Sequence, residues 1–526
     1  MSYTIQSLLF RGMRRFKDSP AITMIPSEET ITYRELLDKI TAVAGYYHTK
    51  LNILPCTRVC LIIPNSIEFS IFSKAGVMCG ATLSSLNEML GVRELESILN
   101  QLRPKVVIVS TNQKHIEAVL KHKQEVDPNV KIVGIPGMGV DYPEEFIIFD
   151  WNEAKPVANL PQASPDDICR IGFTGGTTGA PKGVMQSQYG TAMNIIAHLV
   201  ESTMDQNTRV YFATPLQHAS GLMFWTALCG GAHCFVSRNF DMGLLLKTIK
   251  DKQITTLSTI PTILYRIVEL GRKMKLDFSS LTSVTYGTSP MIPERLVEAI
   301  ELMGPIFRQS YGLTEVPNLV TTLSKFDHMW ALENYPRALA SCGKVLPMVE
   351  VKILDENNNE VPLGERGEIC VKSAYNAVGY LNNPELTAKT IVDGWLHTGD
   401  IGEFDEYGFL YIVDRKKDMI ISGGMNVYPK EVESVLAQHP SVAVSACFGI
   451  PDDNWGEAVC VYAVLKEGAA ASEEELITYC KERTAKYMVP KKIKFITMNQ
   501  LPLTAAGKID KKLLRAPYWA GRDRQI

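Results

Sequence analysis

The stretch IGFTGGTTGAPKGVMQS (171–187) carries the strongest chemical signal in the chain. An apolar strand is predicted to end at Phe173, and a loop rich in glycine and threonine follows it. Glycines let backbone N–H groups turn toward an anion, threonine hydroxyls add donors, and Lys182 adds a positive charge. The loop is not a P-loop, because Lys182 is followed by Gly183 instead of Ser or Thr. We therefore predict a phosphate-binding loop of another kind.

On the N-terminal side of this loop, the pattern predicts alternating strands and helices. A capping box at Thr32 and Glu35 begins the first clear helix. The predicted elements that follow are a strand at 58–65, a helix at 67–79, a strand at 81–87, a helix at 92–102 and strands at 106–110 and 131–135. Repeated βαβ units predict a parallel sheet with helices on both faces.

Beyond a predicted linker at 151–166, a second alternating block is expected from residue 171 to about residue 317. The stretch 349–373 instead shows short alternating strands with polar turns, which predicts a small antiparallel β unit. The last block, from Arg415, has 17 Lys and Arg against 13 Asp and Glu, a balance that suits an anionic ligand.

Composition excludes several classes of protein. The 526 residues are 46% hydrophobic and 21% charged, which excludes disorder for most of the chain. A net charge of -3 gives no global electrostatic case for nucleic acid. The chain contains no run of 18 apolar residues, so we predict no integral membrane segment. The N-terminus does not have the pattern of a secretory signal. The 11 cysteines form no C-x-x-C pair, so we expect buried free thiols and a cytoplasmic protein.

Five further motifs follow the glycine-rich loop in order, and together they extend over nearly the whole chain. They are PLQHASGL (215–222), RQSYGLTE (308–315), GWLHTGD (394–400), DRKKDMIISGGMNVYPKEVE (414–433) and PLTAAGKIDKKLLR (502–515). With these motifs the sequence resembles the adenylate-forming enzymes, a superfamily of acyl-CoA synthetases, luciferases and peptide-synthetase adenylation domains. Among these it is most similar to the acyl-CoA synthetases.

The resemblance implies an α/β fold with two domains. Residues 1–414 would form a large AMP-binding region of layered α/β subdomains plus a small β subdomain. Residues 415–526 would form a small mobile α/β domain. The implied reaction is ATP-dependent conversion of an apolar carboxylic acid, fatty or aromatic, to an acyl-adenylate, followed by transfer to CoA with release of AMP.

The resemblance also implies roles for individual residues. Lys508 would contact the carboxylate and the α-phosphate, Thr314 a phosphate, and Glu315 a Mg²⁺ ion, which prefers oxygen ligands. Tyr311 would face adenine, Asp400 would accept hydrogen bonds from the two ribose hydroxyls, and Arg415 would pair with ribose or phosphate oxygens. The full predicted set of ATP-binding residues is Thr174, Gly175, Gly176, Thr177, Thr178, Gly179, Lys182, Gly287, Thr288, Ser289, Tyr311, Gly312, Asp400, Ile412, Arg415 and Lys508.

The second half-reaction needs the small domain to rotate. Lys417 matches the family's hinge position, and a hinge residue absorbs a large φ/ψ change without touching substrate. Rotation would bring Ser422, Gly423 and Gly424 to a CoA pantetheine arm. An ordinary glycine turn is the alternative interpretation of these three residues.

The acid would lie near His218, an aromatic gate and catalytic-site residue in related acyl-CoA synthetases. Met223 and Phe224 are candidates for the apolar wall, although ordinary core packing explains them equally well. No Asp lies between Pro215 and Trp225 to pair a substrate ammonium, and Asp241 is predicted as a helix N-cap.

Other functions stay open at this point. The first alternative is transfer to the pantetheine of a separate carrier protein, and a homodimer is left open. A non-catalytic nucleotide-binding regulator is a further alternative, against which the intact Glu315, Asp400, Arg415 and Lys508 argue. Luciferase-type oxidation is possible on the same framework, although no residue marks it. The chain departs from the family in Gly175 for a usual Ser, in GTSP (287–290) for G-G-A-P and in Gln217 for a usual Phe. None of these changes removes a charged catalytic group.

Overall fold

The computed structural model describes residues 3–174, 181–289, 291–423, 425–452, 454–503 and 509–520. Within these residues the strands are β1 Pro20–Ile25, β2 Thr30–Thr32, β3 Arg58–Ile62, β4 Thr82–Ser85, β5 Val106–Val109, β6 Lys131–Gly134, β7 Ile147–Ile148, β8 Ile168–Thr174, β9 Lys182–Ser187, β10 Arg209–Phe212, β11 His233–Ser237, β12 Thr256–Thr259, β13 Ser283–Gly287, β14 Phe307–Tyr311, β15 Thr321–Leu323, β16 Lys344–Val345, β17 Val349–Leu354, β18 Gly367–Ser373, β19 Gly379–Tyr380, β20 Ile391–Val392, β21 Trp395–Phe404, β22 Leu410–Arg415, β23 Ile420–Ser422, β24 Met425–Val427, β25 Val442–Asp452, β26 Gly456–Leu465 and β27 Lys492–Phe495.

The α-helices in the same residues are α1 Ile5–Met13, α2 Tyr33–Thr49, α3 Ile67–Met78, α4 Val92–Leu102, α5 Gln113–Glu125, α6 Gln188–Ser202, α7 Ala219–Gly230, α8 Met242–Asp251, α9 Pro261–Met274, α10 Pro293–Met303, α11 Lys325–Asn334, α12 Pro384–Thr390, α13 Pro429–Ala437, α14 Glu473–Lys481 and α15 Lys511–Trp519. Short 3₁₀ helices lie at Arg14–Phe16, Pro336–Ala340, Lys486–Met488 and Met498–Gln500.

The strands of the first predicted block, β3 to β7, lie in an eight-stranded sheet in the order β19-β9-β8-β4-β3-β5-β6-β7. The sequence predicts strands β8 and β9 in the second block, but they join this sheet instead. Side chains alternate between the two faces of a strand, so Val59 and Leu61 of β3 enter one hydrophobic core while Cys60 and Ile62 enter another. Strands β3 to β6 are parallel and helices cover both faces, which confirms the prediction. At one edge β9 runs antiparallel to β8.

Two helices begin at the capping residues that the sequence predicts. The Thr32 hydroxyl accepts from the backbone N–H of Glu35, and the Glu35 carboxylate accepts from that of Thr32 at 2.9 Å. Such a cap contributes about 1 kcal/mol. Asp241 caps α8 by accepting from the N–H of Leu244 at 2.6 Å, so its predicted N-cap role is also confirmed.

The second predicted block forms a nine-stranded sheet in the order β16-β15-β14-β13-β12-β10-β11-β1-β2. Strands β14, β13, β12, β10, β11 and β1 run parallel, whereas β15 pairs antiparallel with both β14 and the edge strand β16, and the edge strand β2 pairs antiparallel with β1. The hairpin β1–β2 comes from the N-terminal end of the chain, a long-range pairing that the local pattern does not reveal. A parallel sheet of this kind presents the carboxyl ends of its strands along one edge.

The stretch 349–373 supplies β17 and β18 of a five-stranded sheet, which β20, β21 and β22 complete. Strand β21 pairs antiparallel with β20 and with β22. The predicted small β unit is therefore present, and it extends further along the chain than the sequence pattern suggests.

The chain divides into two compact units, Met1–Val351 with Val371–Leu396, and Lys352–Cys370 with His397–Ile526. In the second unit, β23 to β27 form a sheet in which β25 and β26 send alternate side chains into two separate cores. The whole chain is thus α/β, as predicted. The functional boundary at residues 414 and 415 falls inside the second unit and stays a prediction.

Two further findings concern the chain's chemistry. No helix in the described part of the chain is long and apolar enough to cross a membrane. All 11 cysteines are free thiols, and all except Cys56 are buried.

Candidate active site

Three of the predicted motifs meet at one edge of the nine-stranded sheet. Pro215–His218 follow β10, Gly287–Ser289 end and follow β13, and Tyr311–Glu315 end and follow β14. Since β10, β12, β13 and β14 are parallel, their carboxyl ends lie side by side. This edge is where ligands bind in open α/β sheets.

Close backbone approach fixes the residue type at position 287. Gly287 pairs with Ser310, and a Cβ at this position would lie 2.4 Å from the Ser310 carbonyl oxygen. Any side chain would therefore separate β13 from β14. Thr288, the next residue, adopts a left-handed conformation with φ of 67°, which turns the chain out of the sheet.

Asn318 ties the Tyr311–Glu315 segment to the start of α7. Its amide Nδ2 donates to the carbonyl oxygen of Ala219 at 3.0 Å, next to His218. Its backbone packs against Gly312, where a Cβ would lie 2.6 Å away. The two motifs are thereby held in a fixed relation that their separation in sequence does not predict.

Glu315 is held at both its backbone and its side chain. Its carbonyl oxygen accepts from the N–H of Ala377 at 2.7 Å, and its Oε1 accepts from the Tyr380 hydroxyl at 2.8 Å. Burial and then the negative charge of Glu315 raise the pKa of Tyr380, so this hydroxyl keeps its proton and donates. Tyr380 pairs with Val184 of β9, which places Glu315 beside the strand that follows the glycine-rich loop.

The two ends of the glycine-rich loop lie beside the same segment. Thr174 and Lys182 are register partners in β8 and β9. Gln186 of β9 donates from Nε2 to the Thr314 carbonyl oxygen at 2.9 Å. A Cβ at Gly172 would lie 3.1 Å from the Thr314 methyl group, so β8 also packs against this residue.

Five predicted ATP-binding residues of that loop, Gly175, Gly176, Thr177, Thr178 and Gly179, lie outside the described residues, as do Gly424 and Lys508.

His218 lies immediately before α7 and is uncharged at neutral pH. Its Nε2 is 3.2 Å from the amide nitrogen of Asn87. The protein packed around the ring lowers the pKa of His218 below its ordinary value, and the positive charge of Arg170 lowers it further. A neutral imidazole suits contact with an apolar acyl group.

A small pocket, with about 20 Å³ of enclosed space, lies next to His218 through its lining residue Gln217. Its lining residues are Phe69, Ser73, Leu83, Ser85, Arg170, Leu216, Gln217, Gly221, Leu222 and Trp225. The two residues predicted for the acyl wall do not line it. Phe224 is fully buried against Phe212, with ring centroids 5.5 Å apart, and the Met223 sulfur accepts from the Ser258 hydroxyl at 3.5 Å. Both fit the core-packing alternative instead.

In the second compact unit, two predicted nucleotide-binding residues are neighbours. Asp400 and Arg415 face each other across β21 and β22, and Arg415 Nε lies 3.0 Å from Asp400 Oδ1. Asp400 is buried, whereas Arg415 is half exposed. The carbonyl oxygen of Ile412 accepts from Lys430 Nζ at 3.1 Å, and Lys417 lies in the turn after β22.

The predicted CoA-binding residues follow β23. Ser422 is buried, and Gly423 has φ of 59° with its N–H donating to the Trp455 carbonyl oxygen at 2.8 Å. A Cβ at Gly423 would lie 2.5 Å from the Trp455 ring, so both φ and space require glycine here.

An ion pair anchors the chain just beyond Lys508. Lys511 Nζ lies 2.7 Å from Glu433 Oε1, and burial of this pair is extensive. Leu503 and Ile509 pair as a β-bridge. Sequence reasoning missed Lys511 and Glu433, because a lysine in a polar helix carries no local sign of burial.

Sequence reasoning also missed Arg170, Gln186, Asn318 and Tyr380. Their contacts with the motif residues are tertiary, and Tyr380 lies 65 residues from its partner Glu315. No motif spacing signals such a pair. Within the described residues, no group of three or more His, Cys, Asp or Glu side chains is arranged to hold a metal ion.

Comparison with known proteins identifies the family to which the chain belongs. Residues 9–381 match the family described as AMP-binding enzyme, and residues 431–508 match the AMP-binding enzyme C-terminal domain. The medium/long-chain-fatty-acid–CoA ligase FadD8 of Mycobacterium tuberculosis is 35% identical over 535 residues, covering 99% of this chain and 91% of that one.

A second relative is the 3-[(3aS,4S,7aS)-7a-methyl-1,5-dioxo-octahydro-1H-inden-4-yl]propanoyl:CoA ligase of Rhodococcus jostii, 32% identical over 97% of this chain and 98% of that one. Among solved structures, the amide bond synthetase McbA of Marinactinospora thermotolerans has a TM-score of 0.86 at 27% identity, covering 98% of this chain and 100% of that one. The chain belongs to the AMP-binding enzyme family, as an AMP-forming acyl-CoA synthetase that uses a carboxylic acid, ATP and CoA.

Proposed function

We propose that the acid activated by this synthetase has an apolar body, fatty or aromatic. The observation that carries the proposal is the pocket next to His218, to which Phe69, Leu83, Leu216, Leu222 and Trp225 contribute apolar surface. Each methylene buried against such a surface contributes about 0.8 kcal/mol. Both relatives named above bear names of acids with carbon-rich bodies, a fatty acid in one and a bicyclic propanoate in the other.

The same pocket argues against amino acids as substrates. Its lining residues include no Asp or Glu among the described residues, and Arg170 adds a positive charge. An ammonium group buried there without a carboxylate partner would cost several kcal/mol, roughly.

In the first half-reaction, a carboxylate oxygen attacks the α-phosphorus of ATP and the bond to pyrophosphate breaks. Both partners are anions, so their charges must be offset and the groups held in line. We assign this task to Lys508, Lys182 and Thr314, with Asp400 and Arg415 at the ribose and Tyr311 at the adenine.

Glu315 is the proposed Mg²⁺ ligand. Carboxylate oxygen is the donor that this ion prefers, and the hydrogen bond from Tyr380 occupies Oε1. No other protein donor to this carboxylate is recorded in the described part of the chain. When bound, Mg²⁺ would offset charge on the triphosphate.

In the second half-reaction, the CoA thiol attacks the acyl carbonyl and AMP leaves. We propose that residues 415–526 rotate at Lys417 between the two steps. Lys508 would then leave the active site, and the segment Ser422–Gly424 would take its place. Transfer to the pantetheine of a separate carrier protein is the second candidate for this step, since pantetheine is the reacting arm in both acceptors.

The test is a panel of aliphatic and aromatic acids, scored by AMP release with and without CoA. Catalytic efficiency in a homologous series should rise with chain length and then fall when the pocket is full. Pyrophosphate release driven best by a free α-amino acid would contradict the proposal. A phosphopantetheinylated carrier that reacts faster than CoA at equal concentration would favour the second candidate.

A further inference from the structure

The pocket next to His218 is not uniformly apolar. It lies among α3, β4, β8 and α7, and one part of its wall is polar, formed by Ser73, Ser85, Arg170 and Gln217. An alkyl chain cannot accept a hydrogen bond, so a pocket that binds only alkyl chains would gain nothing from a guanidinium in its wall.

Few protein groups offset the positive charge of Arg170. It lies in β8 opposite Leu83, and its Nη1 donates to Gln186 Oε1 at 3.3 Å. No carboxylate is recorded against this guanidinium within the residues the structure describes. Burial lowers the pKa of Arg170 below its ordinary value, yet a guanidinium keeps its charge at neutral pH. Most of its five N–H donors therefore stay available to a ligand.

A second basic side chain lies behind the same wall. Lys74 is fully buried, with Nζ 3.3 Å from the Ser73 hydroxyl. Its Nζ is 5.7 Å from the ring centroid of Phe69 and 5.3 Å from that of Trp225, two rings that line the pocket. No acidic partner of Lys74 is recorded in the described ranges. Arg170 and Lys74 are thus both basic groups, although burial lowers the pKa of Lys74 to about 7, so that Lys74 is only partly charged at neutral pH.

We infer that the acid taken by this enzyme carries an oxygen acceptor besides its reacting carboxylate, a ketone carbonyl or a second carboxylate, and that Arg170 binds it. The inference rests on the proposed function and narrows it from apolar acids in general to largely apolar acids with one acceptor group. An alkyl chain filling the pocket would remove water from the guanidinium without replacing its hydrogen bonds, which is costly. An acceptor oxygen restores them.

The first experiment uses the wild-type enzyme and needs no variant. Alkanoic acids, (ω−1)-oxo acids and α,ω-dicarboxylic acids of matched chain length are compared by kcat/KM for CoA-dependent AMP release. We expect the best oxo or dicarboxylic acid to exceed its alkanoic counterpart by about tenfold to a hundredfold, the effect of a hydrogen bond to a charged group. Preference for the dicarboxylic acid would indicate charge pairing, and preference for the oxo acid would indicate a hydrogen bond to a neutral carbonyl.

The second experiment replaces the guanidinium by an apolar chain of similar length. Arg170→Met should lower kcat/KM for the preferred acid by the same factor relative to that for the alkanoic acid, so that the preference disappears. Arg209→Met is the matched control, since Arg209 is also a partly buried strand arginine and donates from Nε to the Lys252 carbonyl oxygen, outside the pocket. It should change neither preference.

Two outcomes would overturn the inference and leave the proposed function standing. One is a wild-type preference for alkanoic acids at every length. The other is an equal loss for all acids in Arg170→Met, which would make Arg170 a positioning residue that acts on Thr314 through Gln186. If no acid gives CoA-dependent AMP release, the proposed function fails as well.

Discussion

The hydrogen bond from Tyr380 to Glu315 provides a direct test of the proposed Mg²⁺ site. Tyr380→Phe removes one oxygen atom and keeps the ring, which packs with Val184 and Ala377 in a small hydrophobic cluster. The Glu315 carboxylate would lose the donor that lies 2.8 Å from its Oε1. With this donor gone, the carboxylate is free to leave the orientation in which it would bind the ion.

The structure sets the expected magnitude. The acceptor is charged and half-buried, and hydrogen bonds to charged groups contribute about 1.5–3 kcal/mol. That range corresponds to a loss of about tenfold to a hundredfold, similar to the effect of removing partners that orient metal ligands. We expect the Mg²⁺ concentration for half-maximal adenylation to rise by this factor. Thioester formation from supplied acyl-adenylate should be unaffected.

The assay is acid-dependent exchange of pyrophosphate into ATP across a Mg²⁺ titration. Tyr375→Phe is the matched control, because the Tyr375 hydroxyl is buried nearby in sequence but donates to the Leu319 carbonyl oxygen at 2.7 Å. It should lower thermal stability without changing the Mg²⁺ requirement. A wild-type Mg²⁺ requirement in Tyr380→Phe, or an equal shift in both variants, would refute the assignment of Glu315.

Three further predictions concern lysines. Lys508→Ala should lower the rate of adenylation ~10²–10³-fold and spare CoA transfer from supplied acyl-adenylate. The control Lys512→Ala, at an exposed lysine, should change neither rate. Equal loss in both half-reactions would contradict the assignment of Lys508 to the first half-reaction alone. Lys417→Pro should spare adenylation and lower the rate of thioester formation, because proline fixes φ near about −65° and so blocks one of the two backbone states of a hinge. The control Lys417→Ala should retain both steps. Wild-type rates of both steps in the proline variant would exclude Lys417 as the hinge. Burial lowers the pKa of Lys74 from 10.5 to about 7, so the unfolded chain binds more protons than the folded one between these values and stability rises with pH across that window. Lys74→Met should flatten this rise in Tm, exposed Lys247→Met should not, and an unchanged slope in Lys74→Met would contradict the assignment.

The alternation of strands and helices could be predicted from the sequence because it depends on local periodicity. Apolar runs such as 58–65 and 106–110 are long enough to be strands buried on both faces, and Thr32 with Glu35 fixes a helix start through contacts three residues apart. The candidate site motifs were predicted from the sequence because six of them, in order, resemble those of one family, whereas short segments such as 311–315 or 398–400 carry little signal alone.

The pairing of β1 with β11 depended on tertiary structure, because residues 20–25 join a sheet whose other parallel strands begin near residue 209. Tertiary structure also decided the lining of the pocket proposed for the acid. The pattern after His218 offers Met223, Phe224 and Trp225 equally, since all three are apolar. Helix α7 turns by about 100° per residue, so only some of these side chains reach the pocket and the others enter the core.

The charged groups that sequence reasoning missed share one physical cause. Arg170 occurs in an ordinary strand and Tyr380 in a turn-rich segment, and neither has a distinctive neighbour in sequence. Their significance comes from burial and from partners that the fold supplies, a pocket wall for Arg170 and the Glu315 carboxylate for Tyr380. The energy of a charge depends on its surroundings in three dimensions, whereas strand and helix patterns depend on near neighbours along the chain. The sequence alone therefore determined the class of reaction, and the tertiary structure decided which groups line the pocket proposed for the acid.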